Sequence, residues 1–232
     1  MDAVVALDLM TPAGGAEWAK LQDYVLGLVA AKQADPGADL LSTLIGIRAD
    51  DGDRLGELEL AIMVIALLLA GYATTSHAIS IGTVLLLTSG QYDALCCEPG
   101  LVAPAVDEVL RRQTGRNAEI MPRFAHVDVR LGDVEVRAGE PVLASLEAAN
   151  HDPARFSEPH RFDITRRPNP RLSFGYGPHH CLGAALARIE LQVVFAGLTA
   201  QFPGLRLTAS PDQLPWRTVF ADSGPQHVPV AW

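Results

Sequence analysis

The sequence predicts a mainly α-helical chain with a minor β part in its second half. Three observations carry that expectation. No Asp, Glu, Lys or Arg occurs between Leu60 and Tyr92, a span too long for a buried strand, so it predicts one long helix over about 57–88. Upstream, Leu21, Val25, Leu28 and Val29 fall at i, i+4, i+7 and i+8, the spacing of one helix face. After Arg116 the pattern shifts to a period of two in "RFAHVDVRLGDVEVRAGEPVLASL", which predicts short strands.

Taken in order, the first helix covers Glu17 to Gln33 and stops at Pro36 and Gly37. Asp39 is placed to cap a short helix, "LLSTLIG". "RADDGDRLGE" reads as an acidic surface loop ahead of the long helix. "SGQYDALCCEPG" gives a short helix ended by Pro99 and Gly100, and "PAVDEVLRRQ" another, over about 103–114, with Pro104 near its start. Gly132-Asp133 and Gly139-Glu140 mark turns between strands. "NHDPARFSEPHRFDITRRPNPR" is dense in turn formers and reads as a long irregular loop. Ala184 to Gln201 is helical again, with Leu182, Leu186, Ile189 and Val193 on one face. The tail from Pro203 to Trp232 reads as small strands and turns. Nothing repeats and nothing resembles a linker, so 1–232 is expected to be a single domain.

Of 232 residues, 49% are hydrophobic and 19% charged, enough to bury a core and too apolar for disorder. The formal net charge of -9 argues against nucleic acid or an anionic membrane as the main partner. The three cysteines, Cys96, Cys97 and Cys181, form no CxxC and no disulfide framework, which points to the reducing cytoplasm. The N-terminus lacks the pattern of a signal peptide. The apolar run passes the length of about 18 residues that a membrane span needs, but "TTSH" (Thr74 to His77) interrupts it. A helix buried in a large α-rich domain is the other reading.

The chemistry concentrates in "FGYGPHHCLG", 174–183. Gly175 and Gly177 admit backbone conformations closed to other residues. Cys181 falls just before the 184–201 helix, whose exposed N–H groups favour a thiolate. Gly183 leaves room for something flat to approach the backbone. A thiolate there is a candidate nucleophile, redox thiol or metal ligand; a buried inert cysteine in a glycine-rich turn is the plainer alternative. His179, His180 and Cys181 are too closely spaced to make a tetrahedral zinc site unaided, and adjacent residues rarely face one another as a Cys–His dyad.

The stretch resembles the haem-binding signature of the cytochromes P-450, FGxGxHxCxG, with Phe174, Gly175, Gly177, His179, Cys181 and Gly183 in all six fixed positions. The resemblance implies the cytochrome P-450 fold with its N-terminal helices missing, heme b (iron protoporphyrin IX) as cofactor, and Cys181 as axial ligand to the haem iron. That ligand pushes electron density to favour O–O cleavage. By the same resemblance His179 and Arg123 pair with haem propionates, and Phe174 packs beside the thiolate. "AGYATT" matches the oxygen-binding kink of the central helix, with Ala70 and Thr74 one turn apart and the Thr74 hydroxyl as proton relay. Glu108 and Arg111 match the ExxR pair, and Arg161 the loop arginine that locks to it; this trio supports the loop structurally. Residues Asn117 to Met121 match part of the substrate pocket lining.

Two departures stand out. Ala73 occupies the position where most members carry an acid, which leaves proton delivery to Thr74, water or the substrate, with His77 one turn on as a weak substitute. The helix carrying a Trp-x-x-x-Arg propionate contact has no counterpart, since Trp18 is followed by Gln22. The implied activity is that of a soluble bacterial haem-dependent monooxygenase, oxidising a hydrophobic small-molecule substrate with dioxygen and two electrons from a ferredoxin and ferredoxin reductase, with no nucleic acid and no membrane involved. The alternative is a non-catalytic cytochrome P-450-like remnant acting as a partner protein.

Overall fold

The computed structural model describes residues 12–50, 56–113, 122–219 and 222–232. Among these, seven α-helices dominate: α1 (Pro12–Ala34), α2 (Leu40–Asp50), α3 (Glu57–Thr88), α4 (Tyr92–Cys97), α5 (Val102–Arg112), α6 (Leu146–Asn150) and α7 (Ala184–Gln201). The strands form antiparallel pairs: β1 (Arg123–Phe124) with β4 (Pro141–Val142), β2 (Val129–Leu131) with β3 (Val134–Val136), β5 (Arg206–Leu207) with β8 (Val230–Ala231), and β6 (Trp216–Val219) with β7 (Asp222–Pro225). The chain divides into two compact units, Met1–Thr74 and Thr75–Trp232, and the boundary falls inside α3.

In the first unit, Leu21, Val25 and Val29 of α1 bury against Leu60, Ala61, Val64 and Ile65 of α3, and α2 adds Leu41, Leu44 and Ile45. The helical spacing in α1 thus marks its core face, with Leu28 half-buried. Helix α1 begins at Pro12 rather than near Glu17, since proline suits a first helical position and Gly14 and Gly15 weaken a helix without stopping it. Asp39 caps α2: its Oδ1 accepts the Ser42 N–H at 2.9 Å and its Oδ2 lies 2.6 Å from Lys32 Nζ. The Lys32 hydrogen bond and the Ser42 amide bring this carboxyl down to about 2, so the cap stays charged at neutral pH. Helix α2 continues to Asp50, so the start of the expected acidic loop is helical; 51–55 lie outside the described residues.

The long helix appears where the charge-free run placed it, over Glu57–Thr88. By length and composition it could cross a membrane, a test that the core helix of a soluble protein also passes. Its C-terminal part belongs to the second unit, where Ala78 and Leu86 join Leu95, Val106, Val109, Ile164, Leu191 and Phe195 in one core. Gly82 is the point of closest approach: a Cβ there would lie 2.5 Å from Phe195 Cζ and 2.8 Å from Val109 Cγ1.

The short strands follow the period-two stretch. Leu131 pairs with Val134 across a tight turn that holds Gly132 at φ +60°, and Gly139, in the turn between β3 and β4, adopts φ +88°. One helix was not expected there: "LEAAN" forms α6, capped by Ser145, whose Oγ accepts the Ala148 N–H at 3.2 Å. Helix α7 spans Ala184–Gln201 as expected, but its inward face differs. Leu182 is 88% exposed, and Leu186, Ile189 and Val193 are exposed with it, whereas Leu191 and Phe195 are fully buried. The helix carries two apolar faces, and periodicity alone cannot choose between them.

Gly82→Ala is expected to destabilise the chain. Overpacking costs about 1–3 kcal/mol and outweighs the ~1 kcal/mol that alanine gains in helix propensity, because Phe195 and Val109 are fully buried and cannot retreat. Thermal unfolding of the variant against the parent chain checks this.

Candidate functional site

The cysteine loop owes its shape to two glycines and three backbone hydrogen bonds. Gly175 and Gly177 adopt φ +73° and +81°, a region that costs other residues about 1–2 kcal/mol each. The Gly175 N–H donates to Leu172 O at 2.8 Å, the Cys181 N–H to Phe174 O at 2.9 Å and the His180 N–H to Gly177 O at 3.0 Å. The segment therefore closes on itself before Gly183 caps α7. Cys181 is exposed, which removes the plainer alternative of a buried, inert cysteine. The Phe174 and His180 rings meet edge to face at 6.4 Å, while Phe174 also packs on the core of the second unit.

Beneath the loop lies a buried ion cluster centred on Glu108. This carboxylate is fully buried and takes a two-pronged bond from Arg111, Nε at 2.8 Å and Nη2 at 2.7 Å. It also accepts Arg166 Nε at 3.2 Å, Asn169 Nδ2 at 3.1 Å and the Asp163 N–H at 3.1 Å. Arg111 spends its other donors on the carbonyls of Asn150 and Pro159, at 2.7 and 2.8 Å, and its guanidinium lies 5.1 Å over the Phe156 ring. A buried charge is tolerated only when paired and fully hydrogen-bonded, and the donors other than Arg111 come from three different points of the irregular segment. The cluster thereby ties α5 to residues 150–169.

One expected member changes. Arg161 is not the arginine that locks to Glu108. Its side chain is 63% exposed and pairs with the exposed Glu158, and it contributes its backbone carbonyl to Arg111 at 3.3 Å. The side-chain partner is Arg166, 10% exposed. In "HRFDITRR" several arginines compete, and only the turn at 163–166, where Asp163 bonds Thr165, aims Arg166 inward.

A second ionic contact was also absent from the sequence reading. Asp107 of α5 lies 2.7 Å from Arg171 and 3.0 Å from Arg188 of α7, and the Arg171 guanidinium sits 6.0 Å over the Phe174 ring. This joins α5, the entry to the cysteine loop and α7.

Ala70 and Thr74 are exposed and Ala73 is buried in the first unit. The Thr74 hydroxyl donates to Ala70 O one turn back. His77 packs its ring on Gly224, where a Cβ would come within 2.5 Å. Arg123 is exposed on β1, opposite Val142, and His179 is exposed in the loop. Asn117 to Met121 lie outside the described residues.

Do these residues fit a haem? Among the described residues no group of three His, Cys, Asp or Glu side chains could hold a bare metal ion. An iron carried in a macrocycle needs only one axial donor from the protein. An exposed thiol on a rigid loop, flanked by glycines and by exposed apolar side chains such as Leu182 and Leu186, supplies that donor and an apolar wall. The residues fit the group.

The profile of the family described as cytochrome P450 matches residues 101–219, just over half of the chain. The mycinamicin IV hydroxylase/epoxidase of Micromonospora griseorubida is 42% identical over 90% of this chain and 53% of its own length. Nocardicin C N-oxygenase of Nocardia uniformis is 42% identical over 92% of this chain and 54% of its own. Among solved structures, the leinamycin-pathway cytochrome P450 hydroxylase of Streptomyces atroolivaceus superposes with a TM-score of 0.90 at 42% identity, covering 100% of this chain and 60% of that one. The mainly helical fold and the thiol loop define a haem-thiolate type of protein, and the chain belongs to the cytochrome P450 family. It spans about half the length of the curated relatives it matches.

The ion cluster makes a direct prediction. Arg166→Ala is expected to destabilise by about 3 kcal/mol, the scale for breaking a buried pair. Arg161→Ala, at an exposed pair, is expected to cost under ~1 kcal/mol. Urea unfolding of the two variants distinguishes them; equal losses would contradict the assignment to Arg166, and a larger loss in Arg161→Ala would return the role to Arg161.

Proposed function

We propose that this chain is the haem-thiolate portion of a monooxygenase that inserts one atom of dioxygen into a hydrophobic organic molecule and reduces the other to water. The carrying observation is the exposed Cys181 on a loop already closed by its own backbone bonds. Haem b, when bound, would supply the iron centre for activating dioxygen, whose full reduction takes two electrons from the donor protein and two from the substrate. Cys181 Sγ would be its single protein ligand. Gly183 lets a flat group lie close to the backbone. His179 and Arg123 offer a ring N–H and a guanidinium to carboxylates at the rim. The Thr74 hydroxyl donates its hydrogen bond to Ala70 O in this structure; turned away from that carbonyl, it would hand its proton to the dioxygen being reduced and take one from water. Ala73 brings no acid, so water or substrate must resupply that hydroxyl.

A ferredoxin with its reductase is the electron source in this reading, and the cytoplasm its compartment; three free thiols suit a reducing environment. The non-catalytic alternative gains nothing from the relatives, which are named as hydroxylases and oxygenases.

The test is haem titration of the expressed chain, followed by reduction and carbon monoxide. A long-wavelength Soret band, abolished in Cys181→Ser, is the expected result. Haem bound with a neutral-ligand spectrum, or none bound, would overturn the reading for this chain.

A further inference from the structure

Resting on the haem-thiolate reading of Cys181, we propose that Asn150 is a positioning residue for that thiol. It transmits the geometry of the Glu108–Arg111 cluster to the loop. Asn150 is fully buried at the C-terminal end of α6, and it faces both sides. Its backbone carbonyl accepts Arg111 Nη1 at 2.7 Å. Its side-chain Oδ1 accepts the Leu172 N–H at 2.7 Å, and its Nδ2 donates to Ser173 Oγ at 3.3 Å. Ser173 Oγ in turn donates to Leu110 O at 2.7 Å, on α5 beside Arg111.

The consequence is a chain of fixed points. Leu172 and Ser173 are held from below by one buried amide group. Leu172 O then receives the Gly175 N–H, and Phe174 O receives the Cys181 N–H. A shift of the 172–174 backbone therefore moves both anchors of the cysteine loop together. Buried amides with both ends bonded are costly to leave unmade, which makes the side-chain orientation of Asn150 unique. Arg171, clamped by Asp107, fixes the residue just before, so Asn150 controls the remaining freedom of this short run.

The test reads the loop separately from the fold. Amide hydrogen exchange of the haem-free chain is followed in the parent, Asn150→Ala, Asn150→Asp and Ser173→Ala. In Asn150→Ala the Cys181 and Gly175 amides are expected to lose at least about tenfold protection, while the amide of Val109 in α5 keeps its own. Asn150→Asp retains an acceptor for the Leu172 N–H but loses the donor to Ser173 Oγ and buries a carboxylate, so it is expected to restore little of the loss. In haem-loaded samples, Asn150→Ala is expected to shift the carbonyl complex from the thiolate band toward the neutral-ligand band. Should Asn150→Ala fail to fold, Ser173→Ala decides, with a smaller loss in the same amides. Unchanged Cys181 protection, or a loss shared equally by Val109, overturns the proposal. The exchange readout needs no haem, so failure of the haem-thiolate reading would appear only as an absent band in the parent.

Discussion

Everything near Cys181 depends on burying one carboxylate, Glu108, without leaving any of its bonds unmade. A lone carboxylate at full burial is prohibitively unfavourable. This one is stabilised by Arg111 on its own helix and by Arg166, Asn169 and the Asp163 amide from a segment with almost no regular structure. That segment lacks the hydrogen-bond ladder that would order it, so the ionic cluster takes the place of a sheet. The arginines also collect carbonyls at 150, 157, 159 and 161, which spreads the constraint along the chain. The Asn150 side chain and the Ser173 hydroxyl carry it up to the cysteine loop.

The geometry also shows what holds the loop in shape before anything binds. Two left-handed glycines set the reversal, and short backbone bonds close it. Phe174 anchors it in the core, with Arg171 over its ring. A preorganised ligand loop avoids the cost of ordering flexible backbone at the moment of binding. The exposed stripe Leu182–Val193 runs away from the same point along α7, so the thiol sits at one end of an apolar surface.

Much of this could be read from the residues. The long helix was legible because a charge-free run of that length has few other outcomes, and α1 because its apolar spacing was clean. Glu108 and Arg111 were legible because i and i+3 share a helix face. What escaped was set by tertiary contacts. Choosing Arg166 over Arg161 requires the turn at 163–166, and sequence order says nothing about which arginine points inward. Asn150 looked like one more loop former; only burial reveals both its bonds. On α7 two apolar faces competed, and the buried one was selected by Gly82, whose missing side chain lets Phe195 approach α3. The helix α6 was masked by the surrounding period-two pattern, although Ser145 carried its capping signal.

The central claim is that Glu108 and Arg166 act as one buried unit holding the irregular segment to α5. A double-mutant cycle tests it most directly, using chemical denaturation of the parent chain, Glu108→Gln, Arg166→Gln and the double variant. A coupling energy of about 1.5 kcal/mol, inside the roughly 0.5–3 kcal/mol found for residues sharing one network, is the expected result. Additive losses, with coupling below about 0.5 kcal/mol, would contradict it.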